Sequence, residues 1–191
     1  MKNEMSQSAI IRYVRLGLGM VLLALWTSFA FSKPITDLEK QRIEAVLPEV
    51  DSISAPEGEY GVRTLTQNGE LSGYAFESIN VVNIPAYSGK PINMQVVLDL
   101  EGNILDAYVL EHDEPILLIG IPEQKLHDFA AKYQGIHVNQ RVVIGRTKDE
   151  NAVTIDAVSG ATVTVMVVNE VVMRAAHRVS VSSSVPLRVI G

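Results

Sequence analysis

Asp156-Ala157-Val158-Ser159-Gly160-Ala161-Thr162-Val163-Thr164 stands between a short β-type run, Val153-Thr154-Ile155, and an apolar segment that ends near Arg178. How that segment is read decides the fold. It is rich in valine, and propensity alone makes it a strand. Its hydrophilic residues say otherwise. Glu170, Arg174, His177 and Arg178 recur three or four apart, which lines them up along one side of a helix. The segment is also longer than an ordinary strand. The stretch is therefore a strand-to-helix turn, with small residues at the bend and hydroxyls at the first helical turn. The start of a helix carries unpaired N–H groups and the positive end of the dipole, so it suits a phosphate. The plainer alternative is that Ser159 or Thr162 only caps the helix.

Composition narrows the function classes. The 191 residues carry a formal charge of −6. Three of the 16 basic and one of the 22 acidic residues lie in the first 32, leaving 13 against 21 and a charge of −8 for the remainder. Such a surface does not suit nucleic acid. There are no cysteines, so disulfides, thiolate zinc sites and iron–sulfur clusters cannot form within this chain. The four histidines show no metal-ligand spacing. Redox chemistry here would need a bound organic cofactor.

Outward from the central stretch, residues 1–32 read as an export signal or a membrane anchor. Arg12 and Arg15 precede an uncharged, mostly apolar run over residues 16–31, and Ala30-Phe31-Ser32 has the small-x-small form of a cleavage site. Either way, the rest is expected outside the cytoplasm. Thr36-Asp37-Leu38-Glu39 is a capping box, predicting a helix to about Val46 with Leu38 and Ile43 inward. Residues 51–59 read as a polar linker. Asn68-Gly69 marks a hairpin between two strands, and the second strand extends through residues 74–84. A second hairpin is expected over residues 92–98 and 104–110, turning at Glu101-Gly102-Asn103. Residues 123–133 read as an amphipathic helix with Leu126, Phe129 and Ala130 inward, stopped at Gly135. Residues 138–144 read as a strand, and the tail beyond Ser180 as a linker. The order implies an α+β fold, a mainly antiparallel sheet of hairpins packed with helices. The domain plan is a leader over 1–32, a helix and linker over 33–59, a main domain over 60–180 and a tail over 181–191.

Asp156-x-x-Ser159-Gly160-Ala161-Thr162 resembles the flavinylation motif of FMN-binding domains. Two further patches fit the same family: Tyr87-Ser88-Gly89-Lys90-Pro91-Ile92 and Glu111-His112-Asp113-Glu114-Pro115-Ile116. Together they look most like the periplasmic part of NosR and NirI proteins and, more distantly, the NqrC and RnfG subunits of ion-pumping oxidoreductases. The likeness spans roughly residues 60–180. It departs from the family where Asp113 replaces one position and Ile116-Leu117-Leu118 stands for the usual Gly-Leu-Gly.

The resemblance implies an extracytoplasmic electron-transfer domain that carries FMN as a phosphoester on Thr162, with Thr164 as the second candidate. It implies a flavin transferase of the ApbE type for maturation. It also implies a redox partner protein or membrane electron-transfer complex, in a system supporting nitrous oxide reductase. The implied cofactor-binding residues are Thr162, Ser159, Gly160, Ala161, Thr164, Asp156, Glu114, Pro115, Tyr87, Ser88 and Gly89. Asp156 either caps the turn or is read by the transferase. Each has a plainer alternative: Tyr87 and Pro115 as loop packing, Glu114 as a solvated acid, His112 as a structural residue. An Rnf- or Nqr-like subunit, an FMN-dependent reductase and a non-redox exported binding module stay open as other functions.

Overall fold

Asn68 and Gly69 both have positive φ, 53° and 78°, the geometry of a two-residue turn matched to the twist of its strands. They join β2 (Arg63–Gln67) to β3 (Glu70–Glu77) with Gln67 opposite Glu70. β4 (Asn93–Leu98) and β5 (Ile104–Glu111) form the second hairpin. In its turn Asp99 Oδ1 accepts from the backbone N–H groups of Glu101 (3.0 Å) and Asn103 (2.7 Å). With β1 (Ser52–Ile53) on the outer side of β2, the strands form one antiparallel sheet in the order β1-β2-β3-β4-β5. In this computed structural model residues 33–115, 120–182 and 185–187 are described. The leader and residues 116–119 lie outside them.

Every residue of β4 is buried because both faces of the sheet are covered. On one face Leu65, Ala75 and Val97 meet Ile43 of α1 (Asp37–Val46). On the other, Met94, Val96 and Leu98 join the main core with α2 (Gln124–Ala130) and α3 (Thr162–Ser180). The capping box of α1 forms: Glu39 N donates to Thr36 Oγ1 (3.2 Å), and Thr36 N to Glu39 Oε2 (2.8 Å). It turns Glu39 and Ile43 toward the sheet, so Leu38, expected inward, is 42% exposed instead. Gln95 secures the same helix through its Nε2, which donates to the Glu39 carbonyl at 3.1 Å.

α3 holds despite its valines. β-Branching costs each residue a few tenths of a kcal/mol of helix propensity, whereas burying a valine side chain gains about 1.5–3 kcal/mol. Val165, Val168, Val171, Val172 and Val179 are all at most 1% exposed. Tertiary burial outweighs propensity by several-fold.

Four further expectations need correction. The polar 51–59 segment supplies the edge strand β1. The strand expected over 74–84 ends at Glu77, where a 3-10 turn (Ser78–Asn80) follows. The strand expected over 138–144 shrinks to β6 (Val142–Ile144), which pairs in parallel with β7 (Val153–Ile155); Val138 instead donates its N–H to the Gly102 carbonyl at 2.9 Å. In the tail, Val185 is buried and Tyr74 Oη donates to the Pro186 carbonyl at 3.3 Å. Among the described residues, no helix is long and apolar enough to cross a membrane.

Candidate functional site

β7 delivers the chain to the loop 156–161, and the loop turns it into α3. Gly160 makes the bend with φ +83°. A Cβ there would stand 3.0 Å from Ile121 Cδ1, so both conformation and space call for glycine. Ala161 N donates to the Val158 carbonyl, and Val165 N to the Ala161 carbonyl, each at 3.0 Å. Ala161 is the N-cap, and no side chain caps the helix. The capping alternative for Ser159 and Thr162 is therefore not realised. The N–H groups of the first turn are left without a side-chain partner, a feature that suits an anion.

A cleft of about 320 Å³ opens against this turn, lined by Tyr87, Pro115 and residues 160–164. That volume lies at the lower end of the roughly 300–1,000 Å³ typical of ligand sites. All three sequence patches meet here, from segments more than 20 residues apart in the chain. Thr162 is exposed at the first helical position, beside Val163 (54% exposed). Met166, one turn on, is 55% exposed, and Tyr87 across the cleft is 68% exposed. No basic side chain lines the cleft among the described residues. A phosphate held here would rest on backbone N–H groups and the helix dipole.

Thr164 differs sharply from Thr162. It is 4% exposed, and its hydroxyl donates to Glu114 Oε2 at 2.5 Å. Glu114, itself 6% exposed, accepts the Ser88 N–H on its other oxygen at 2.8 Å. The side chain of Glu114 is thus tied up behind the cleft wall rather than solvated. Gly89 has φ +81° and closes the turn by donating its N–H to the Ala86 carbonyl at 2.9 Å. Lys90 pairs with Asp113 at 3.2 Å, a second link between the same two loops.

Of the residues singled out from sequence, Tyr87, Pro115, Gly160, Ala161, Thr162 and Thr164 line the cleft. Ser88, Gly89 and Glu114 form its support. Asp156 is exposed and away from it, and Ser159 faces a second cavity of about 540 Å³ with Ile121, Lys125 and Lys132. Val163 was missed, although an apolar residue in the first turn of a helix beside the motif threonine is a readable signal.

Behind the support, Glu114 N donates to His112 Nδ1 at 3.1 Å, so in the neutral ring the proton sits on Nε2. That nitrogen lies 3.4 Å from Glu123 Oε1, within ion-pair reach but without hydrogen-bond geometry. His127 stacks on Tyr108 with centroids 4.5 Å apart, and the Arg42 guanidinium carbon lies 4.6 Å from the centroid of the same Tyr108 ring. Burial holds the His127 imidazole below its ordinary pKa; Glu123 opposes the shift, while His112 and Arg42 add to it.

Residues 87–177 match the family model for the FMN-binding domain. That interval opens on the Tyr87 wall and closes near the end of α3. Over those residues the chain matches the FMN-binding domain family. It is 66% identical over 143 residues to the regulatory protein NosR of Stutzerimonas stutzeri, a match that covers 75% of this chain and 20% of that protein. It is 64% identical over 148 residues to NosR of Pseudomonas aeruginosa, covering 78% and 21%. The protein NirI of Paracoccus denitrificans is 26% identical over 113 residues, covering 59% and 16%. The chain thus spans about a fifth of the length of these relatives. Among solved structures, NqrC of Shewanella oneidensis is 21% identical, with 68% of this chain and 65% of that one covered and a TM-score of 0.39.

Proposed function

We propose that this chain carries FMN esterified through its phosphate to Thr162 and serves as an extracytoplasmic electron carrier in a NosR-type system. The observation that carries the assignment is the contrast between the two threonines. Thr162 is exposed and lines the cleft, whereas Thr164 is buried with its hydroxyl given to Glu114. The residues present fit the cofactor. Gly160 and Ala161 leave the backbone open to a phosphate, the uncapped start of α3 supplies N–H groups and a positive dipole end, and Tyr87, Pro115 and Val163 offer apolar surface to the ring system.

The bond is a phosphoester. Thr162 Oγ1 attacks the flavin-side phosphorus of a flavin dinucleotide donor held by a separate transferase; the P–O–P bond breaks, the other nucleotide leaves as its monophosphate, and the hydroxyl proton passes to solvent. Bound, FMN supplies reversible electron uptake, while the protein holds and orients it. An ester keeps the cofactor with a protein outside the cytoplasm, the side to which the basic, apolar leader would send the chain. The electron donor and acceptor are then a partner protein or a membrane complex, and the supported process is nitrous oxide reduction. Thr162→Ala tests the assignment. Co-expressed with a flavin transferase, the wild-type chain should give a fluorescent band after denaturing electrophoresis and the variant a dark one. A glowing variant band would move the acceptor elsewhere.

A further inference from the structure

Glu114 joins the two walls of the cleft. We propose that it is a positioning residue that presents Thr162, not a ligand of the flavin; this rests on Thr162 being the acceptor.

Both of its oxygens are committed. Oε1 accepts the Ser88 N–H at 2.8 Å, in the turn that carries Tyr87, and Oε2 accepts the Thr164 hydroxyl at 2.5 Å, in the first turn of α3. Its own N–H is donated to His112 Nδ1 at 3.1 Å. Three segments of chain are thereby fixed at one buried carboxylate. The side chain is not among those that line the cleft.

Burying a carboxylate is costly unless hydrogen bonds satisfy it. Here a backbone N–H, a hydroxyl and the positive end of α3 together do so. Among the described residues no ion pair to Glu114 is formed, and the nearby Lys90 pairs with Asp113 instead. What the arrangement secures is the place of Thr164. Thr164 lies two residues beyond Thr162 in a helical turn that no side chain caps, so anchoring Thr164 fixes the backbone from which the Thr162 hydroxyl projects. It also holds Tyr87 and Thr162 a set distance apart, since their loops share the one strut.

The variants Glu114→Ala, Glu114→Gln, Thr164→Ser and Thr164→Val separate geometry from charge. Glutamine can still accept from Ser88 and donate to Thr164, and serine keeps the hydroxyl; alanine and valine break the strut. Two readouts apply to the full chain, with folding checked by circular dichroism. The first is amide exchange in flavin-free chain made without a transferase, followed at Ser88 and at Val165. The second is the covalently flavinylated fraction, by intact mass, after a fixed time with a transferase.

In Glu114→Ala, exchange at Ser88 should rise about tenfold or more, the loss of one charge-assisted hydrogen bond, with faster exchange at Val165 and slower flavin loading. Glu114→Gln and Thr164→Ser should recover both. Wild-type exchange and loading in Glu114→Ala overturn the proposal. So does equal impairment of Glu114→Gln and Glu114→Ala, which would assign the role to charge. Should Glu114→Ala fail to fold, Thr164→Val decides by the same criteria at Val165. If the wild-type chain itself takes no flavin, the flavin reading fails, while the exchange data still settle the strut.

Discussion

Replacing Gly160 by alanine tests the bend on which the site depends. Two costs follow from the structure. At φ +83° an L-residue is strained by roughly 1–2 kcal/mol. The new Cβ would also stand 3.0 Å from Ile121 Cδ1 and 3.8 Å from Cγ1. That contact is with the far end of a flexible side chain, so relief by an off-rotamer Ile121 costs on the order of 0.5–1.5 kcal/mol. The sum is about 1.5–3.5 kcal/mol, which for a domain of this size lowers Tm by roughly 3–14 °C. Gly89→Ala supplies the control, since its φ is +81° and no described residue comes within 4 Å of the added Cβ. It should show the conformational cost alone. Thermal unfolding of the two variants and of Gly160→Ala with Ile121→Val, which removes Cδ1, isolates the contact. Gly160→Ala as stable as wild type, or no more costly than Gly89→Ala, would refute the reasoning.

Two further predictions concern residues packed against β5. Arg42 holds the Asp106 carboxylate, which is 5% exposed, through Nε at 3.0 Å and through Nη2. Arg42→Ala should cost on the order of 3 kcal/mol, because it strands a buried charge; a urea midpoint within error of wild type would count against this. His127 has a folded pKa below its ordinary value, so the unfolded chain binds the proton more readily. Its contribution to stability is present above about pH 6.5 and is lost as pH falls below that. His127→Phe keeps the stack on Tyr108 and should flatten the fall in stability between about pH 7 and pH 5 in urea titrations, whereas parallel profiles would remove His127 as the cause.

Local signals were readable wherever one residue pair or one spacing governs the backbone. Asn68-Gly69 specifies its turn through two positive φ angles, and the Thr36–Glu39 box specifies a helix start. In α3 the propensity of valine and the spacing of Glu170, Arg174 and His177 disagree, and spacing prevails because the valine face is buried. Features made by distant partners were not readable. β1 is a two-residue edge strand in a polar segment and exists through pairing with β2. Val185 looks like part of a tail until the core that buries it is known. The place of Glu114 depends on Ser88 and Thr164, which are 26 and 50 residues away. Its sequence neighbours, Asp113 and Glu111, gave it the look of a solvated acid. For the candidate site, the three patches were visible as motifs, but their meeting at one cleft, and the different surroundings of Thr162 and Thr164, required the fold.

The most direct test locates the cofactor on the chain. Trypsin cutting after Lys148 and Arg174 releases a peptide that contains both Thr162 and Thr164. Chain made with a flavin transferase should yield this peptide with the mass of an FMN phosphoester, and fragmentation should place the added mass on Thr162. An adduct on Thr164, or an unmodified peptide from transferase-loaded cells, would contradict the account.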